Sequence, residues 1–262
     1  MVRFLKLSGI AGLSVLIVFS ALSSLSYANN SQCSDVSLIF LRGSGQNPKS
    51  EFIDKPLSAD FKKQEQQSYS FFNELDKKIN NKTKEFVSFH NQGGHKYGYK
   101  AQGIESFTKK AEHNTETTVR NNAYYESMYD GSDALTQYLK KKISSCPAQQ
   151  IILGGYSQGA QVVGESIPRL TSLERSNIKY VALYGDPKLN TKDNKKKKKK
   201  GPWVRGNTNR HINGVLGARV QYLPEDMRNK SGSWCDIGDP VCAGRSVNTN
   251  IFNKGLFDKF GD

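Results

Sequence analysis

The sequence predicts an α/β fold with a mostly parallel central sheet. Short apolar runs that are typical of buried strands alternate with stretches of helical spacing along the 262 residues. Gly-rich turns directly follow several of these runs. The length is sufficient for a packed core, and neither a Gly-X-Y period nor a heptad repeat is present, so we exclude fibrous and wholly disordered classes.

Five short apolar runs, rich in Val, Ile, Leu and aromatic residues, are the predicted strands. They span residues 36–41, 85–90, 150–153, 180–184 and 220–223. Apolar side chains at helical spacing predict helices over 68–80 and 125–143, and a third helix follows residue 160. Residues 91–122 are polar and rich in Gly, Lys and Asn, so we expect a loop there.

The N-terminus has the pattern of a secretory signal peptide. Arg3 and Lys6 form a basic start, the 19 residues from position 7 carry no charge, and Ser26-Tyr27-Ala28 supplies small residues at the positions that a signal peptidase reads. We expect cleavage after Ala28, which assigns 1–28 to the signal and 29–262 to a secreted domain. The alternative is an uncleaved anchor, because the uncharged stretch is just long enough to span a bilayer.

The four cysteines predict two disulfides, because the count is even and the chain is exported. Cys235 and Cys242 are separated by six residues, which favours a local bridge and leaves Cys33 with Cys146. A metal site is not expected, because no Cys-x-x-Cys pair is present and the histidines do not cluster with the cysteines.

The segment Gly155-Tyr156-Ser157-Gln158-Gly159 matches the G-x-S-x-G pattern of a serine nucleophile. It lies between a predicted strand and a predicted helix, which is the context that the pattern needs. The sharp turn strains the serine backbone and exposes its Oγ, and the N–H groups at the helix start favour a developing oxyanion. The sequence therefore predicts Ser157 as a nucleophile; the alternative is a serine in an ordinary Gly-rich turn.

A serine nucleophile needs a base and an acid that orients this base, and two aspartates are candidates for the acid. Asp239 lies between Cys235 and Cys242, where a bridged loop would hold its carboxylate rigidly. The same residue also fits a simple turn before Pro240. Asp186, which follows the predicted strand at 180–184, is the rival.

Three motifs follow one another along the chain. The first runs from Cys33 through Arg42-Gly43-Ser44, the second from Cys146-Pro147 to Ala160, and the third is Cys-x-x-Gly-Asp-x-Val-Cys at 235–242. They resemble, in the same order, the first strand with its oxyanion loop, the active-serine signature and the catalytic-aspartate loop of the cutinase family. The resemblance covers roughly residues 33–245 and implies a three-layer α/β/α hydrolase-type sandwich without a separate lid domain.

The resemblance also implies roles for individual residues. Ser157 is implied as the nucleophile and Asp239 as the acid of the triad. The backbone N–H groups of Ser44 and Gln158 are implied as the oxyanion hole, with the Ser44 hydroxyl assisting. The same two cysteine pairings that the spacing favours are implied, and no cofactor or metal is required.

The sequence departs from the family pattern at the histidine, which in the family follows the aspartate loop. No histidine follows Asp239 in the 262 residues. All four histidines precede it: His90, His95, His113 and His211. His211 is nearest in sequence and is retained as a candidate base, because a triad is defined by geometry and not by chain order. We expect the natural chain to continue to a histidine beyond Asp262; the alternative is a protein that lacks a base.

The net charge of +14 is concentrated in one segment. Residues 188–210 carry ten Lys and Arg against one acidic residue, and Lys195–Lys200 are six consecutive lysines. Because like charges repel, we expect a solvated loop inserted into the domain. The alternative is that the segment binds an anionic surface, such as wall polymer or lipid headgroups. Nucleic acid is not expected as a partner, because no aromatic residues interleave with the lysines.

These observations together predict a secreted, monomeric serine esterase of cutinase type that hydrolyses lipid or polyester substrates by acyl transfer. The alternative is a catalytically impaired cutinase-like protein that binds an extracellular surface through its lysine-rich loop.

Overall fold

The computed structural model describes residues 33–47, 49, 53–89, 101–102, 123–189, 204–205, 214–217, 219, 223–236 and 239–243. The chain divides into two compact units, Met1–Cys33 and Ser34–Asp262, and every strand and helix of the described residues belongs to the second. The predicted signal segment 1–28 lies outside the described residues. Of the helices that the structure describes, none is both long and apolar enough to cross a membrane.

Six parallel strands form one sheet in the described part of the chain, which confirms the predicted α/β class. In chain order they are β1 (Val36–Leu41), β2 (Lys84–Ser88), β3 (Gln150–Tyr156), β4 (Ile178–Tyr184), β5 (Val204–Arg205) and β6 (Ser231–Trp234). Their spatial order is β2-β1-β3-β4-β6-β5. The strand order reverses between β1 and β3, and ligands of open α/β sheets bind beyond the carboxyl ends of the strands at such a point.

Helices pack on both faces of the sheet. They are α1 (Ala59–Gln64), α2 (Gln66–Lys78), α3 (Ala123–Ser145), α4 (Gln158–Ser166) and α5 (Ser172–Ser176), with 3-10 turns at Ile167–Arg169 and Glu225–Lys230. The predicted helices at 68–80 and 125–143 correspond to α2 and α3.

The two faces of β1 show why the sheet needs both helix layers. Leu38 and Phe40 pack with Phe61 of α1 and Phe72 of α2, whereas Leu41 packs in a second cluster with side chains of α3 and α4. All six residues of β1 are buried. A strand that is apolar on both faces requires cover on both sides, and the result is the expected three-layer α/β/α sandwich.

The sequence predicts the last strand at 220–223. This prediction is wrong at Leu223, which lies in no strand, and residues 220–222 lie outside the described residues. On the side of β4 away from β3, the neighbouring strand is β6, whose sequence is Ser-Gly-Ser-Trp. A Cβ on Gly232 would lie 2.8 Å from the Trp234 ring and 2.9 Å from the Tyr180 hydroxyl. Close packing therefore requires a small residue at this position, and the strand lacks the apolar pattern that sequence analysis detects.

The prediction of two disulfides is confirmed. Cys235 and Cys242 form a bridge with a Cα–Cα distance of 5.8 Å. Cys33 and Cys146 are also disulfide-bonded, and none of the four cysteines is free.

Candidate active site

The turn between β3 and α4 holds Ser157 in a conformation that residues other than glycine rarely adopt. Its φ is 51° and its ψ is −118°, and such backbone strain costs on the order of 1–3 kcal/mol. A Cβ on Gly155 would lie 2.5 Å from the carbonyl oxygen of Gly159, so glycine lets the end of β3 pass close to α4. This is the sharp strand-to-helix turn that the G-x-S-x-G pattern predicts.

Backbone hydrogen bonds fix Ser157 at the carboxyl edge of the sheet. Its N–H donates to the carbonyl oxygen of Tyr184 at the end of β4 (2.8 Å), and its own carbonyl oxygen accepts from the N–H of Gln161 (3.1 Å). The Ser157 side chain makes no capping hydrogen bond. The first N–H groups of α4 lack intrahelical acceptors and, with the helix dipole, favour negative charge beside Ser157.

The 42–47 loop follows β1 and contains the predicted oxyanion residue of the first motif. The N–H of Gly43 donates to Oε1 of Gln46 (2.7 Å), and Nε2 of Gln46 donates to Oε1 of Gln67 on α2 (2.7 Å). Nδ2 of Asn47 donates to the carbonyl oxygen of Ala101 (3.2 Å). Side-chain hydrogen bonds therefore hold this loop to two other parts of the fold.

The two predicted oxyanion residues differ in how their side chains are used. The Ser44 Oγ is buried and has no hydrogen-bond partner among the described residues, although burial normally requires one. The Gln158 side chain is fully buried and points toward α3, where its Nε2 donates to the Tyr124 carbonyl oxygen (3.2 Å) and to the Ser127 hydroxyl (3.5 Å).

Two buried ionisable side chains, Arg42 and Glu65, lie in and beside the 42–47 loop. Arg42 is 1% exposed, and its NH1 donates to the carbonyl oxygen of Phe89 (2.9 Å). Glu65, between α1 and α2, is fully buried and accepts a hydrogen bond from the Ser68 hydroxyl (2.6 Å). Burial raises the pKa of Glu65 to about 6, although the Ser68 hydrogen bond and the charge of Arg42 act to lower it.

The disulfide loop (235–243) carries Asp239. Its Oδ1 accepts from the N–H groups of Val241 (2.7 Å) and Cys242 (3.3 Å). The backbone of Asp239 also takes part, because its N–H donates to the carbonyl oxygen of Asp236 (3.0 Å) and its own carbonyl accepts from Ala243 (2.9 Å). The carboxylate is therefore fixed by its own loop, as the sequence analysis expected of a bridged segment.

The other carboxylate oxygen of Asp239 faces the turn after β4. A Cβ on Gly185 would lie 3.3 Å from this Oδ2 and 3.4 Å from Cε2 of Tyr156, the residue that precedes Ser157. Burial raises the pKa of the Tyr156 hydroxyl, and the charge of Asp239 raises it further. The fold thus brings Asp239 to the β3–α4 turn from a distant part of the chain.

Residues 32–253 match the family model described as cutinase, and this span is most of the chain. The chain belongs to the cutinase family. The three motifs that resemble this family also come together in the fold, because the end of β1, the serine turn and the disulfide loop meet at one edge of the sheet.

Curated relatives of this cutinase-family chain align over short segments. It is 38% identical over 64 residues to the carboxylesterase Culp1 of Mycobacterium tuberculosis, an alignment that covers 24% of this chain and 30% of that protein. It is 41% identical over 61 residues to the cutinase cut1 of Trichoderma harzianum, covering 23% of this chain and 24% of that protein. The alignments thus span less than a third of either relative.

A solved structure extends the comparison of the fold to nearly the whole chain. The catalytic core domain of acetyl xylan esterase from Trichoderma reesei matches with a TM-score of 0.52 at 20% sequence identity, covering 88% of this chain and 95% of that chain. The likeness shows a shared α/β hydrolase sandwich.

The rival aspartate of this cutinase-family chain, Asp186, belongs to a different network. Its Oδ2 accepts from NH2 of Arg219 (2.8 Å) and its Oδ1 accepts from the N–H of Lys188 (2.9 Å). NH1 of Arg219 donates to Oε1 of Glu165 (2.7 Å). Burial alone lowers the pKa of the Arg219 guanidinium, but the charges of Asp186 and Glu165 outweigh burial and raise it. Both oxygens of Asp186 are therefore engaged, one by Arg219 and one by the N–H of Lys188.

Several candidates from the sequence lie outside the described residues. They are His90, His95, His113, His211 and the lysine run Lys195–Lys200. Lys188 and Leu189, at the start of the lysine-rich segment, and Gly214, which follows it, are described, and the N–H of Gly214 donates to the carbonyl oxygen of Leu189 (2.9 Å). Leu189 packs with Cys235, Cys242 and Ala243, so the described residues Leu189 and Gly214 lie beside the disulfide loop.

Sequence analysis missed the charged groups that support the two loops. Arg42 directly precedes Gly43-Ser44, and this position was its one signal. Arg219 carries no local pattern, because its partners Asp186 and Glu165 are brought to it by the fold, and the burial of Glu65 is likewise set by the fold. Tyr156 was present in the motif but had no assigned role.

Proposed function

We propose that this protein is a secreted serine esterase that hydrolyses carboxylic esters at Ser157. The observation that carries the proposal is the strained turn that presents Ser157 at the start of α4, with the Ser44 hydroxyl and the Asp239 carboxylate supplied by the neighbouring loops. Membership of the cutinase family supports the same reaction class. The substrate class is an ester of lipid or polyester type, and no cofactor or metal is needed.

The reaction proceeds by acyl transfer. Ser157 Oγ attacks the ester carbonyl carbon and gives up its proton to a histidine base, which Asp239 Oδ2 orients. The oxyanion of the tetrahedral intermediate accepts hydrogen bonds from the N–H groups of Ser44 and Gln158 and from the Ser44 hydroxyl. The C–O bond to the alcohol then breaks as the base returns the proton to that oxygen. Water repeats the attack on the acyl-enzyme and releases the acid and Ser157.

The proposal is tested on the full secreted chain by p-nitrophenyl ester hydrolysis and by fluorophosphonate labelling. Ser157→Ala should reduce turnover by roughly 10⁴-fold or more, and Asp239→Asn by on the order of 10⁴-fold, as in other triads. Ser176→Ala, an exposed serine on α5, is the matched control. Equal rates for the wild type and Ser157→Ala would exclude the proposal.

The base is identified by the same labelling assay. If His211 is the base, His211→Asn lowers the labelling rate to the level of Asp239→Asn, and added imidazole restores part of it. If a different histidine is the base, His211→Asn labels at the wild-type rate. N-terminal sequencing of the secreted protein tests the signal peptide, and the first residue should be Asn29. Analytical ultracentrifugation tests the oligomeric state, and the protein should sediment as a monomer.

A second candidate function is binding of an anionic surface through Lys195–Lys200. It is supported by the six consecutive lysines, which belong to a stretch at 188–210 with ten Lys and Arg against one acidic residue. Vesicles with anionic headgroups should bind the protein at low salt and release it at high salt. Replacing the six lysines by glutamine should abolish this binding and spare ester hydrolysis, whereas Ser157→Ala should do the reverse.

A further inference from the structure

The ring of Tyr156 lies between the 42–47 loop and the turn after β4. On one edge of the ring, a Cβ on Gly43 would lie 2.8 Å from Cδ1 and 3.1 Å from Cε1. On the opposite edge, a Cβ on Gly185 would lie 3.4 Å from Cε2 and 3.8 Å from Cδ2. One aromatic side chain therefore contacts both segments, and it belongs to the residue that immediately precedes Ser157.

Each of these contacts leads directly to a group of the proposed reaction. Gly43 precedes Ser44, which supplies two of the three proposed oxyanion donors. Gly185 lies against Asp239, because its Cβ would be 3.3 Å from Oδ2. The N–H of Gly185 also donates to the carbonyl oxygen of Trp234 (2.9 Å), at the entrance to the disulfide loop. A displaced ring would therefore displace both groups relative to Ser157.

The ring is itself held in place. Tyr156 is the last residue of β3 and pairs with Tyr184 of β4, and its half-buried side chain packs against the aromatic cluster that contains Phe40 and Phe72. A planar ring has few rotamers and cannot shorten, unlike an aliphatic chain. The Tyr156 ring therefore holds a fixed width between its two neighbours, and the strand that carries it is held by pairing with β4.

We propose that Tyr156 is a positioning residue whose ring sets the separation between the Ser44 donors on one side of Ser157 and the Asp239 carboxylate on the other. The inference rests on the proposed esterase function. The contacts are made by ring carbons, so the ring rather than the hydroxyl performs the task. The close approach of the ring also explains why residue 43 has no side chain, whereas residue 185 is glycine because its φ is +60°.

The test compares Tyr156→Leu, Tyr156→Phe and Phe71→Leu in the full chain. Phe71 packs against the same aromatic cluster and is the control for general loss of packing. Tyr156→Leu should lower kcat by roughly 10–100-fold with KM changed less than about threefold, because misplacement by about 1 Å costs up to 10²-fold. Tyr156→Phe should restore kcat to within about threefold of the wild type, and Phe71→Leu should lower the melting temperature with kcat unchanged.

Hydrogen exchange of the peptides that contain 42–47 and 235–243 gives a readout that does not depend on turnover. Tyr156→Leu should speed exchange in both peptides, whereas Tyr156→Phe and Phe71→Leu should not. The inference is overturned if exchange in either peptide is unchanged by Tyr156→Leu, or if Phe71→Leu lowers kcat equally. If the wild type shows no turnover that depends on Ser157, the proposed function fails, and the exchange data alone decide whether Tyr156 positions the two loops.

Discussion

The 42–47 loop lies at one edge of the Tyr156 ring, and the disulfide loop lies against Gly185, which is at the opposite edge. The two loops are held by different kinds of contact. The 42–47 loop is held by side-chain hydrogen bonds of Gln46 and Asn47 and by the buried Arg42, whose NH2 also donates to Asn47 Oδ1 (3.4 Å). The disulfide loop is held by a covalent bridge and by main-chain N–H groups that bind Asp239.

Because the two loops are held by different contacts, different conditions should disturb each of them. Side-chain contacts near a buried carboxyl group depend on its protonation, so the 42–47 loop should respond to pH. A disulfide and main-chain hydrogen bonds do not titrate near neutral pH, so the other loop should respond to cysteine replacement instead. The disulfide loop should also respond to the loss of Arg219, because this buried charge lies near it.

The largest effect is expected from Arg219→Met. The change leaves Asp186, which is 3% exposed, and Glu165 without their shared cation, and breaking a buried pair in this way typically costs about 3–5 kcal/mol. The segment of Arg219 also contacts the disulfide loop, because the N–H of Val215 donates to the carbonyl oxygen of Val241 (2.8 Å). We expect faster exchange in 235–243 than in 42–47, together with a lower free energy of unfolding in urea.

Arg175→Met is the matched control for that loss. Arg175 pairs with Asp226 (2.9 Å), whose side chain is 39% exposed, and pairs in contact with solvent contribute about 1 kcal/mol or less. If Arg175→Met destabilised the protein as much as Arg219→Met, the burial of an ion pair would not determine how much its loss costs.

A smaller effect is expected when Cys235 and Cys242 are both replaced by serine. The bridge closes a loop with a sequence separation of 7, and the chain-entropy model gives roughly 2–3 kcal/mol for so short a loop. Asp239 then loses its rigid frame, so fluorophosphonate labelling of Ser157 should slow. Replacing Cys33 and Cys146 by serine should lower stability and leave exchange in 235–243 unchanged. If hydrogen exchange increased equally in 42–47 and 235–243, the prediction that the bridge stabilises only the second loop would be wrong.

The same contrast explains how much of the molecule the sequence predicts. β1 is recognisable because all six of its residues, 36–41, are apolar or small, and Ser157 is recognisable because its turn needs glycines at fixed spacing. These signals are local. The Arg219–Asp186 pair joins residues 33 positions apart, and neither carries a pattern that names the other. β6 is missed for a related reason, since the close approach of the Tyr180 hydroxyl and the Trp234 ring selects glycine at position 232.

The smallest effect, and the most specific, concerns Glu65 beside the 42–47 loop. Its pKa is about 6 in the folded protein against an ordinary value of 4.5, so between these values the folded state binds more protons than the unfolded state. Stability therefore falls as pH rises from 4.5 through 6, by about 2 kcal/mol in total. Glu65→Gln imitates the protonated form and should remove this loss.

The measurement is urea unfolding of the wild type and Glu65→Gln at pH 4.5 and pH 8, with Glu74→Gln, an exposed glutamate on α2, as the control. Taking the difference between variant and wild type at each pH cancels the titration of all other groups. Glu65→Gln should gain stability relative to the wild type only at the higher pH, and exchange in 42–47 should lose its pH-dependent component while exchange in 235–243 stays the same. A stability difference that is independent of pH would mean that Glu65 keeps its charge in the folded protein, and the 42–47 loop would then be no more sensitive to pH than the loop closed by the disulfide.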